Sequence, residues 1–203
     1  ALYYWSRVFE INNPQTVDIR VLTSIGNCHR KLKTFDQGTK YFEMALEREP
    51  NNFYALFGLA DSYRGMNQQN KSVFYWNKIL EIDPNNKVIL TRAGDAYRTS
   101  GNFEEAKKYY GKALEIDFDV YAAIGLALIC KGEGNYNEAI SRLENLIKSD
   151  PKNSRLYIDL AECYDAMNNK VQAAKVLNDY LKFDNRNSAV RNALEKINRK
   201  YYA

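Results

Sequence analysis

The stretch that decides the fold is residues 52–84, "NFYALFGLADSYRGMNQQNKSVFYWNKILEIDP". Its apolar residues recur at three- and four-residue spacing in two blocks, 53–63 and 73–82, parted by a polar turn around Asn67. That period is the period of an amphipathic helix, since strand side chains alternate every second residue. Asn52 stands just ahead of the first block, where a short oxygen-bearing side chain accepts a bond from open helix amides. Asn67 stands between the blocks and tolerates the left-handed backbone that ends a helix. The stretch therefore predicts two helices folded back on each other.

Working outward, the same register recurs. Pro50 and Pro84 are 34 residues apart, Phe118 lies 34 beyond Pro84, Pro151 follows after 33, and Asn185 after 34. These marks define five units, 19–52, 53–86, 87–119, 120–153 and 154–187. Asp18, Asn52, Asn86, Asp119, Asn153 and Asn187 are predicted N-caps of first helices. Asn67, Gly101, Gly134 and Asn168 hold the turn between helices, with Lys33 as the exception. At the eighth place stand Gly26, Ala60, Gly94, Ala127 and Ala161, and at the twentieth Gly38, Ser72, Ala106, Ala139 and Ala173. Small residues on facing helices let two backbones approach. Leu22, Leu56 and Leu90 on the first helices, and Phe42, Trp76, Tyr110, Leu143 and Leu177 on the second, are the predicted core. One hairpin cannot bury both faces of this pattern, whereas stacked neighbours can.

Leu56, Leu59, Ala60 and Tyr63, then Ser72, Trp76 and Pro84, carry a resemblance to the tetratricopeptide repeat (TPR) family. So do Leu90, Ala93, Gly94 and Tyr97, then Ala106 and Tyr110. The resemblance implies an all-α, right-handed superhelical array of antiparallel helix pairs, a TPR solenoid. "WSRVFEINNP" (5–14) aligns with "WNKILEIDPN" from Trp76, so 1–14 reads as the second helix of a truncated repeat. Residues 188–203 read as a C-terminal capping helix, and the parent chain is expected to be longer. Phe118 occupies a proline slot in a connection one residue short. It is expected either to pack on Ala123 as a hydrophobic staple or to mark a tilt of the fourth unit.

A 45% hydrophobic share suits a continuous core, and four prolines and ten glycines leave little room for disordered linkers. A net charge of +4, with acidic residues interspersed, shows no basic block, so no nucleic-acid partner is expected. No apolar run reaches the length of a membrane span, so no membrane insertion is expected. Cys28, Cys130 and Cys163 lack disulfide or metal spacing and read as small core residues. They suit a reducing, cytoplasmic compartment and remain compatible with a bacterial periplasm.

Chemistry is sparse. His29, the single histidine, occupies the core place held elsewhere by Tyr63, Tyr97 and Tyr164. The glycines of "KGEGN" (131–135) fit a helix-to-helix turn and follow no strand. No enzyme, metal or cofactor is expected. In TPR folds the first helices line a concave surface, which implies a protein or peptide ligand in that groove. The inward places give an apolar set, Tyr54, Phe57, Tyr121, Ile124 and Leu128, and a cationic row, Arg30, Arg64, Arg98 and Lys131. Asp61 and Asp95, each three residues before an arginine, are positioned to neutralise part of that row. A known TPR mode clamps a C-terminal carboxylate. Asn27 and Arg92 match two elements of that clamp, but Gly58, Thr23 and Val88 depart from it. The leading expectation is a non-enzymatic adaptor holding a partner segment in the groove. The alternative is an architectural segment of a larger assembly, such as one of a bacterial envelope, using convex faces and chain ends including Tyr201 and Tyr202.

Overall fold

The computed structural model describes residues 1–12 and 16–199. Among them the chain is helix and connecting turn, in two compact units. The first, Ala1–Asp117, holds α1 (Leu2–Ile11), α2 (Ile19–Lys31), α3 (Phe35–Arg48), α4 (Phe53–Gly65), α5 (Gln69–Ile82), α6 (Lys87–Thr99) and α7 (Phe103–Ile116). The second, Phe118–Ala203, holds α8 (Val120–Gly132), α9 (Tyr136–Ser149), α10 (Ser154–Ala166), α11 (Lys170–Leu181) and α12 (Ser188–Arg199). Pro14, Tyr201 and Tyr202, on which the sequence reading also drew, lie outside the described residues.

The helices begin where short polar side chains can cap them. Asp18, Asn52, Asn86, Asp119 and Asn187 each accept from a backbone amide of the helix that follows. Asn153 departs from the expectation, because its side chain makes no cap bond. There the Leu156 amide donates to the Asn153 backbone carbonyl at 3.1 Å, so the open donor is already satisfied. The hairpin turns follow the predicted residue types. Gly101 and Gly134 take φ of 82° and 78°, where glycine carries no Cβ penalty. Asn67 and Asn168 take φ of 59° and 62°, and Lys33, the odd residue, is forced to the same conformation at 60°.

Packing explains the small residues. Ser72 Oγ donates to the Ala60 carbonyl at 2.8 Å, directly across the eighth and twentieth places of one hairpin. A Cβ on Gly38 would lie 3.0 Å from the Gly26 carbonyl, the same crossing one repeat earlier. The predicted core residues Phe42, Trp76, Tyr110, Leu143 and Leu177 are all fully buried. Each contributes about 1.5–3 kcal/mol relative to exposure. Phe42 is wedged so tightly that a Cβ on Gly26 or Gly58 would come within 2.7 or 2.2 Å of its ring. In the first unit α2 packs on α3 and on α4, and α5 on α6. In the second unit α9 packs on α10, and α12 covers both α10 and α11.

Tyrosines stitch neighbouring repeats together at a constant separation of twenty residues. Tyr63 donates to Glu43 at 3.3 Å, Asn77 donates to the Tyr97 hydroxyl at 3.3 Å, and Tyr164 donates to Glu144 at 3.3 Å. His29, in the corresponding place of the first repeat, instead bonds Thr34 at 2.8 Å and stacks on Tyr41. The connection 117–119 is the short one. Asp119 caps α8, while Phe118 remains 60% exposed. The boundary between the two units falls at this connection.

Candidate functional site

The first unit brings three guanidiniums onto one carboxylate. Asp61, near the middle of α4, is buried and accepts from Arg30 of α2 at 2.6 Å and from Arg64, one turn along α4, at 2.6 Å. Arg92 of α6 approaches the same carboxylate at 3.6 Å. Burial alone would raise the Asp61 pKa, but the bonds from Arg64 and Arg30 outweigh it and hold the carboxyl below its ordinary range. Beneath the cluster lies a ring. The Arg30 and Arg92 guanidiniums stand 5.8 and 5.1 Å from the centroid of Phe57, and Arg92 is also 5.8 Å from Trp76. Phe57 meets Trp76 edge-on at 5.1 Å and continues outward through Phe53 to Tyr54, which is 67% exposed.

One repeat further, Asp95 is differently employed. It accepts from the Tyr110 hydroxyl at 2.6 Å and pairs with Arg98 at 3.5 Å. Burial, followed by the adjacent Asp95 charge, pushes the Tyr110 phenol far above its usual range. The helical pairs Asp61–Arg64 and Asp95–Arg98 anticipated from spacing are both formed. Arg98 is therefore half of a neutral pair.

The second unit carries the remaining predicted residues. Tyr121 is 70% exposed, Leu128 is half-buried, and Ile124 is half-buried with its side chain packed on the core of this unit. Lys131 is not a free cation. It donates to Asp159 at 2.8 Å and to Glu162 at 2.6 Å, and Arg155 also donates to Asp159 at 2.8 Å. Burial opposes the Lys131 charge, but the two acidic partners raise its pKa above the ordinary lysine value. Asp159 has no exposed side-chain surface, so this is a buried charge compensated on two sides.

Asp159 was missed by the sequence reading, and Arg92 entered it only as a match to one element of the carboxylate clamp. Both occupy the sixth place of their units, where the others have Ser24, Gly58 and Gly125. A charge at a place otherwise reserved for small residues was the available signal. The same place explains the departure from the carboxylate clamp. An asparagine at 58 would collide with Phe42, while Asn27 accepts from Arg30 Nε at 3.2 Å through its side-chain oxygen.

TPR family models, each described as tetratricopeptide repeat, match residues 19–52 and 89–120, 54–86, and 132–197. Among curated proteins no match is found. Among solved structures, a tetratricopeptide repeat protein from Parabacteroides merdae matches with a TM-score of 0.89 at 22% identity, over 100% of this chain and 79% of that one. YrrB, described as a TPR protein with an unusual peptide-binding site, matches with a TM-score of 0.66 at 17% identity, over 96% and 100%. PilW, a type IV pilus biogenesis factor, matches with a TM-score of 0.73 at 18% identity, over 90% of each chain. At these identities the structural likeness shows the fold alone. The helical hairpins, their small-residue crossings and the family matches along most of the sequence agree: this chain belongs to the tetratricopeptide repeat family.

Proposed function

We propose that the protein is a non-enzymatic interaction module that holds a segment of a partner protein against the first helices of its repeats. TPR proteins are in general protein-interaction modules. The observation that carries the finer reading is the exposure of Tyr54 and Tyr121 at equivalent places of α4 and α8. Neither ring is used by the core, and exposed aromatic surface of this kind is a favourable anchor for a partner. On α4, Phe57 is half-buried and Arg64 exposed; on α6, Arg98 is half-buried; in the second unit Leu128 is half-buried on α8, the helix of Tyr121. The test is quantitative capture of partners from source-cell lysate by the intact chain and by the variant Tyr54→Ser, Tyr121→Ser. The variant should retain its helicity and melting point, because both side chains are exposed. Loss of a captured protein supports the reading, and unchanged capture removes it.

A second reading, architectural assembly through α1, draws on its exposed side chains. None of its residues is buried, and Tyr3, Tyr4 and Ile11 are exposed, while Trp5, which aligns with the fully buried Trp76, is 36% exposed. Concentration-dependent self-association that Trp5→Ser abolishes would favour this reading over the adaptor.

A further inference from the structure

Three positive charges meet one negative charge at Asp61, leaving a residual charge of +2 among Arg30, Arg64 and Arg92. The three guanidiniums are not equally engaged. Arg30 and Arg64 each bond a separate oxygen of Asp61 at 2.6 Å. Arg92 reaches it only at 3.6 Å, and its Nε is buried without a hydrogen-bond partner among the described residues. Arg92 is held instead by the rings of Phe57 and Trp76. A guanidinium kept partly desolvated on aromatic faces, and sharing at 3.6 Å a carboxylate that already bonds two others, is only partly neutralised. All three side chains retain solvent-accessible surface, from 24% for Arg30 to 47% for Arg64.

We infer that this cluster is the specificity subsite for an internal acidic segment of the partner, with two adjacent carboxylates against the Arg30, Arg64 and Arg92 guanidiniums and an apolar neighbour against Tyr54. The inference rests on the first-helix reading proposed above. Charge complementarity selects the occupant: two carboxylates neutralise a residual +2, and Arg30 and Arg92 share one ring on which to present them. A chain terminus is the poorer fit. The amide that would grip a terminal carboxylate is absent at Gly58, and Thr23 and Val88 stand where the clamp has cations. Among the described residues of the second unit the charges around Lys131 are balanced: the two cations, Lys131 and Arg155, are matched by Asp159 and Glu162.

The test is selection from a library of random peptides displayed with both ends tethered, so that no free C-terminus is present, against the full chain at low salt. Recovered peptides should carry adjacent Asp or Glu residues beside an apolar residue. Their affinity, read by fluorescence anisotropy, should fall about tenfold in Arg92→Gln and when the acidic pair becomes Gln-Asn. Arg64→Gln, a more exposed site, provides the same readout should Arg92→Gln fail to fold. Recovered peptides without acidic pairs, bound equally by these variants, overturn the subsite while leaving the first-helix reading intact. Tighter binding when one phosphoserine replaces the acidic pair overturns it in favour of a phosphoryl ligand. Recovery of no peptide at all removes both the subsite and the reading beneath it.

Discussion

At the sixth place of the first helices stand Ser24, Gly58, Arg92, Gly125 and Asp159, and that one place separates what the sequence could and could not say. The small residues were legible as packing positions. The roles of the charged ones were not, although Arg92 matched one clamp element, because those roles depend on side chains from other helices: Phe57 and Trp76 for Arg92, Lys131 for Asp159. Gly58 is held small by the Phe42 ring, so Gly58→Ala should destabilise the protein by about 1–3 kcal/mol in chemical denaturation. A neutral result would mean that Phe42 can yield. Lys33 illustrates the opposite case, a turn whose geometry was legible although its residue was wrong for it. With φ at 60°, Lys33→Gly should relieve about 1 kcal/mol of backbone strain and raise the melting point.

At the scale of elements, the hairpins followed from periodicity, capping side chains and the pair of small places. Those are local signals, repeated in phase, and Asn153 was the one cap that a competing backbone bond displaced. The electrostatics between first helices were only half legible. Spacing along one helix announced Asp61–Arg64 and Asp95–Arg98, but not the links from α2 to α4 or from α8 to α10. Two predictions belong here. Lys131→Met leaves the buried Asp159 with Arg155 alone and should cost about 2 kcal/mol, measured by denaturant unfolding. Asp61 titrates below its ordinary value of 3.8 in the fold. Its contribution to stability is therefore present above that value and is lost as pH falls through the lower, folded one. Melting points of the parent and Asp61→Asn should differ at neutral pH and converge on acidification below 3.8. A constant difference across the range would assign the effect to packing.

At the scale of the molecule, stability in a repeat array is close to a sum of repeat and neighbour terms, so it should be uneven along the chain. Helix α1 buries no residue, whereas α4 and α6 each bury at least six, so amide exchange should be fastest in α1 and much slower in α4 and α6. The all-helical repeat class was legible because five units in phase leave little ambiguity, whereas the division of the chain at residues 117–118 was not. A proline slot filled by Phe118 and a connection one residue short flagged that place without giving its consequence. The central claim, that partners bind the first-helix faces, is tested most directly by hydrogen exchange of the chain with and without a captured partner. The account predicts new protection in α2, α4, α6 and α8, over the segments bearing Arg30, Tyr54, Arg92 and Tyr121. Protection confined to α1 and the second helices would contradict it and place the contact on those helices instead.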